Sequence, residues 1–123
     1  MVAFEGGKSA RTLFRVVDQV GRRAAWLVME PLTGRTHQLR AHAALALETP
    51  IIGDGKYGGS AAFPDGLPET KTMQLHARAI QLVSLSGRPL LIESPLPIGM
   101  CKNFKFLGFQ EREELAGFLD PGV

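Results

Sequence analysis

The chain has 123 residues, enough for one domain or part of one and too few for several. With 45% hydrophobic and 21% charged residues it falls outside the disordered class, and no apolar stretch approaches the roughly 20 residues of a membrane span. Its net charge of +2 announces no nucleic-acid partner, yet residues 1–60 hold eight Lys/Arg against five Asp/Glu while residues 61–123 hold six against seven. One cysteine, Cys101, excludes an internal disulfide framework and a thiolate metal cluster. A cytoplasmic protein with no metal, cofactor or membrane partner is the expectation. The start lacks the basic and apolar regions of a signal peptide, and residues 1–6 read as a flexible lead-in.

Thr12-Leu13-Phe14-Arg15-Val16-Val17 is rich in β-branched and aromatic residues and predicts a strand over 11–20. Ala24-Ala25-Trp26-Leu27-Val28-Met29-Glu30 predicts a second, closed by Pro31, with a hairpin turn at Gly21 between them. Over 37–47 good helix formers dominate, and Leu39, Ala43, Ala46 and Leu47 recur at helical spacing and should face the core. Thr36 is the expected N-cap and Pro50 the stop. Ile51-Ile52 leads into a glycine-dense turn over 53–59 and a polar loop over 60–72, long enough to be functional or mobile. Strands are expected over 75–85 and 89–93, joined through Ser86-Gly87. Met100, Phe104 and Leu107, then Leu115, Phe118 and Leu119, predict one or two closing helices. The order ββαβββα with hairpin-length connections indicates an α+β fold, a mostly antiparallel (mixed) sheet with flanking helices.

The densest polar cluster, Thr33-Gly34-Arg35-Thr36-His37-Gln38-Leu39-Arg40-Ala41-His42, lies at a helix start, where free N–H groups and the dipole attract anions. His37 and Arg40, three apart, share a helix face; His37 and His42, five apart, stand roughly 140° around the axis and are poorly placed to hold one metal. Arg40 can grip a phosphate, or hold a carboxylate ionised through two parallel hydrogen bonds. A surface ion pair with Glu30 or Glu48 is the competing reading. His37 is read more readily as a capping or packing residue than as a base. In the second cluster, Pro50-Ile51-Ile52-Gly53-Asp54-Gly55-Lys56-Tyr57-Gly58, the glycines suit close backbone approach and Asp54 an Asx turn, with a purely structural turn that buttresses the helix as the favoured competing reading. His76, in Leu75-His76-Ala77, reads as structural.

Taken together and in order, these three segments closely resemble the C-terminal half of the catalytic domain of the RluA-type pseudouridine synthases. The likeness begins at Gly7-Lys8-Ser9-Ala10-Arg11, takes in Ser94-Pro95-Leu96-Pro97 and covers residues 7–108, which leaves 109–123 as a terminal helix and tail. It implies an isomerase that turns selected uridines of structured RNA (rRNA or tRNA) into pseudouridine, breaking the N-glycosidic bond, rotating the base and rejoining it through carbon without a cofactor. Arg40 matches the family's catalytic arginine, whose implied role is to pair with the catalytic carboxylate. Because target bases leave their stack, the RNA backbone must be gripped. Arg35, Thr36, His37, Arg22 and Arg23 are the candidates for that contact. Gly34, Gln38, Gly53, Asp54, Tyr57 and His76 are the motif residues with implied structural roles.

The family's reaction also uses an aspartate in a His-Arg-Leu-Asp loop and a tyrosine that stacks on the base. None of Asp18, Asp54, Asp65 and Asp120 has that context, and the only tyrosine, Tyr57, belongs to the glycine-rich turn. The chain is therefore expected to be part of a synthase, inactive alone; the alternative is a non-catalytic module that grips RNA through its basic first half. A sheet continued in a second half would leave an edge or apolar face here, and self-association through that surface is expected.

Overall fold

The computed structural model describes residues 2–5, 8–83 and 85–109. Three antiparallel strands, β1 (Val2–Glu5), β2 (Lys8–Val20) and β3 (Ala24–Pro31), form one sheet in that order. A helical turn, α1 (Gln38–Ala41), runs into a π-helical turn over His42–Ala46. A single turn α2 (Gly55–Gly58) and a 3-10 turn (Gly59–Ala62) follow, then the hairpin β4 (Ala79–Val83) and β5 (Pro89–Glu93), and finally α3 (Ile98–Leu107). The α+β class and the antiparallel pairing are those read from the sequence.

The expected strands 11–20 and 89–93 and the second strand of the first hairpin are present. The lead-in is corrected. Val2–Glu5 is a strand paired with Lys8–Arg11, because its β-prone Val-Ala-Phe run finds backbone partners across the hairpin. Ile51-Ile52 forms no strand, since the Ile51 carbonyl accepts from Asp54 N–H and the Ile52 carbonyl from Gln74 N–H at 2.8 Å. The strand expected from residue 75 starts only at Ala79, residues 74–78 being tied by that bond and by His76 Nε2, 3.0 Å from the Ser94 carbonyl. The second closing helix, expected around Leu115 to Leu119, lies outside the described residues.

The register of β2 on β3 shifts between Val16 and Asp18, and the bulge buries Val17. Trp26, opposite Asp18, packs at a tilt against Phe104 of α3 at 4.7 Å between ring centroids and against Phe109 at 6.1 Å. Gly108, at φ +80°, ends α3 in a Schellman arrangement: Phe109 N–H donates to the Phe104 carbonyl and Gly108 N–H to Lys105. The long polar loop is anchored by Asn103, buried in α3, whose side-chain oxygen accepts from Glu69 N–H at 2.9 Å while its amide donates to the Glu69 carbonyl at 2.6 Å. No helix among the described residues is long and apolar enough to cross a membrane.

The expected helix over 37–47 is altered in two respects. Its N-cap is His37, in the left-handed region at φ 51°, and not Thr36, which is exposed. The cause is Gln38. Its side-chain oxygen accepts from Thr33 Oγ1 at 2.6 Å and from Arg35 N–H at 3.1 Å, so the preceding loop closes on the helix side chain and His37 absorbs the turn, at about 1 kcal/mol of strain. Further on, Leu47 N–H reaches back five residues to the His42 carbonyl. The wider turn keeps Ala43 buried but leaves Ala46 exposed, against the expectation from regular α spacing.

Candidate functional site

Arg40, in the single turn of α1, meets Asp54 immediately before α2. Its Nε donates to Asp54 Oδ2 at 3.0 Å and its Nη2 to Oδ1 at 2.7 Å, a side-on bidentate pair. The Asp54 side chain is fully enclosed and that of Arg40 19% exposed. Arg40 therefore pairs with neither Glu30 nor Glu48; burial of Asp54 makes it the stronger competitor. Asp54 also caps α2, accepting from Tyr57 N–H at 3.4 Å, which is the Asx-type role read from the sequence. The hydrogen bonds from Arg40 hold the Asp54 carboxyl below its ordinary range, and those same bonds raise the arginine's pKa.

Gly53 sets this turn. At φ +87°, a Cβ here would overlap the Thr72 carbonyl oxygen and lie 2.8 Å from the Met73 Cα. Gly34 has no such requirement, since a Cβ there would meet nothing within 4 Å.

Beneath the arginine turn lies a polar chain. Gln38 is buried and donates from its amide to the Arg11 carbonyl at 2.7 Å and to Thr12 Oγ1 at 2.9 Å. Thr12, 0% exposed, accepts from Gln38 and lies 2.6 Å from His42 Nδ1, a hydrogen bond whose direction follows the imidazole tautomer. Burial disfavours the charged imidazole and pushes the His42 pKa below the usual value. The expected bare helix N-terminus is partly taken: the first helical N–H, that of Gln38, donates to the Arg35 carbonyl, and in the loop before it Arg35 N–H donates to the Gln38 side chain.

Tyr57 collects the remaining charge. The Arg40 guanidinium carbon is 5.2 Å and Lys56 Nζ 5.6 Å from its ring centroid, while the His37 ring packs edge-on at 5.8 Å. Its hydroxyl is 3.2 Å from His37 Nδ1.

Of the expected RNA contacts, only His37 stands beside Arg40's partners. Arg35 donates from Nε to the Ser9 carbonyl at 2.9 Å and so ties the loop to β2. Arg22 and Arg23, in the β2–β3 turn, line with His76 and Trp26 a separate cleft of about 640 Å³, which neither Arg40 nor Tyr57 lines. Among the described residues no group of three or more His, Cys, Asp or Glu is placed to hold a metal. Reasoning from the sequence missed Lys56, whose signal was its position beside Tyr57 in the glycine-rich turn, and the buried role of His42, for which no local signal exists.

The profile of the RNA pseudouridylate synthase family matches residues 1–45. An uncharacterized RNA pseudouridine synthase of Zymomonas mobilis is 38% identical over 109 residues, 89% of this chain and 45% of that protein. The dual-specificity RNA pseudouridine synthase RluA of Salmonella typhi is 42% identical over 81 residues, 66% of this chain and 35% of its own length. The ribosomal large subunit pseudouridine synthase C of Rickettsia typhi is 38% identical over 94 residues, 76% of this chain and 29% of its own. A solved structure, human RNA Pseudouridylate Synthase Domain Containing 4, shares the fold at TM-score 0.64 and 22% identity, over 87% of this chain and 50% of that one. The chain thus spans less than half the length of these curated relatives.

Proposed function

The chain belongs to the RluA-type family of RNA pseudouridine synthases, and on that footing we propose that it supplies the arginine-bearing half of an RNA-modifying active site whose aspartate comes from a second segment. The observation that carries this reading is the side-on Arg40–Asp54 pair. A guanidinium has five N–H donors in a planar fork. Asp54 occupies Nε and one edge of Nη2 and leaves Nη1 without a partner among the described residues. Asp54 so orients Arg40 that a second carboxylate, that of the family's His-Arg-Leu-Asp loop, can be met by the remaining edge and kept ionised. The substrate is a uridine of structured RNA, rRNA or tRNA, handled in the cytoplasm, and residues 7–108 are the part of the catalytic domain involved. Arg35, Thr36, His37, Arg22 and Arg23 are retained as candidates for contact with that RNA, while Arg40 faces the reacting carboxylate. Alone, the chain is expected to form no pseudouridine in a uridine-containing RNA. Product made by the chain alone and lost on Arg40→Ala would overturn the reading.

The sheet surfaces support a covering partner. In the β4–β5 hairpin, Ile80 pairs with Ile92 and Leu82 with Leu90, four apolar side chains on one face that are 44–53% exposed. Leu13, Phe14 and Val16 of β2 are 40–46% exposed. A two-stranded hairpin with an open apolar face is marginal by itself. Without the second segment, the chain is expected to self-associate through these faces, and light scattering over increasing concentration should show mass above the monomer. A constant monomer mass at high concentration would contradict this.

A further inference from the structure

Lys56 Nζ lies 3.5 Å from His37 Nδ1, the nitrogen that also faces the Tyr57 hydroxyl at 3.2 Å. An ammonium can only donate, so when Nδ1 accepts from Lys56 the Tyr57 hydroxyl competes for the same lone pair. Two donors thus converge on one acceptor. Among the described residues no carboxylate pairs with Lys56; Asp54, the nearest buried one in sequence, is spent on Arg40. The Tyr57 ring holds both cations within 6 Å of its centroid. Surplus donors, an unpaired ammonium and an exposed position favour a ligand that is all acceptor and negatively charged. We propose that Lys56, with the Tyr57 hydroxyl and the His37 ring, is a contact site for a phosphodiester of the RNA strand beside Arg40. This rests on the RNA-modifying reading above and adds to it a residue and a ligand group.

A phosphate oxygen accepting from Lys56 and Tyr57 would relieve the competition for Nδ1 and add a charge-assisted bond. The test is anisotropy of a labelled RNA hairpin with the whole chain across a potassium chloride series. Lys56→Gln should weaken binding about 5- to 10-fold at low salt and reduce the slope of log K against log salt by about 0.7 to 0.9, the share of one phosphate contact. Lys56→Arg should keep the slope, and Lys105→Gln, an equal charge change on α3, should leave it unchanged. A wild-type slope in Lys56→Gln, or an equal drop in Lys105→Gln, would overturn the site while leaving the RNA reading standing. Failure of the unsubstituted chain to bind RNA at low salt would overturn both. The imidazole NMR signals of the three histidines give a second readout. His37 should shift with RNA in the unsubstituted chain and shift less in Lys56→Gln; a shift with inorganic phosphate but none with RNA would overturn the proposal.

Discussion

Replacing Gln38 with leucine should lower stability by about 2–3 kcal/mol, a drop of roughly 10 °C in Tm for a chain of this size. Leucine nearly matches the volume, so the loss is of hydrogen bonds and not of packing. Gln38 uses every donor and acceptor it has: Thr33 and Arg35 give to its oxygen, and its amide gives to the Arg11 carbonyl and Thr12. The Arg11 carbonyl keeps Leu32 N–H at 2.9 Å and Thr12 keeps His42, which limits the cost. What is not replaced is the closure of the 33–37 loop on the helix, and with it the left-handed turn at His37 that carries Arg40 toward Asp54. A thermal melt monitored by circular dichroism checks this; a shift under about 2 °C would show that the loop is held by something else.

Asp54→Ala should cost about 3 kcal/mol, at the low end for breaking an enclosed ion pair because the Arg40 side chain is partly exposed. The variant leaves an unpaired guanidinium and removes the α2 cap. Asp54→Asn keeps an acceptor for Tyr57 N–H and should cost less than Asp54→Ala. The same contact shapes the response to acid. The folded Asp54 carboxyl titrates below its unfolded value near 4, so the stability it contributes is complete above that pH and is lost as pH falls through the folded value. His42, also depressed in the fold, adds to the loss in its own window: its contribution is complete above its unfolded value near 6.5 and declines as pH falls below that. Asp54→Ala should therefore melt with a shallower acid dependence below pH 4 while keeping the loss that begins near 6.5. An unchanged profile below pH 4 would mean that Asp54 is not ionised by Arg40.

The sequence made some of this legible and hid the rest for identifiable reasons. The hairpin of β2 and β3 is written in β-branched and aromatic runs around Gly21, and α3 in the spacing of Met100, Phe104 and Leu107. Arg40 was legible as a carboxylate-binding arginine, but its partner lies 14 residues away across a glycine turn, a distance set by the fold and not by helix spacing. The helix over 37–47 was misread at its ends because a buried glutamine reorganises the cap and a π turn shifts the burial of Ala46. Propensity carries neither effect. The burial of Asn103 on α3 has its reason in the backbone of Glu69, 34 residues away, which no local pattern announces. Gly53 suits close approach of backbone, and the loop residues that approach it, Thr72 and Met73, are not predictable from the turn itself.

The central claim is that Arg40 is one half of a site completed by an aspartate from another segment. Its most direct test is pseudouridine formation in a structured RNA on mixing this chain with a separately expressed N-terminal half that carries the His-Arg-Leu-Asp loop. The account predicts no product from either piece alone, product from the mixture, and loss of that product with Arg40→Ala. Product from the mixture that survives Arg40→Ala would contradict it.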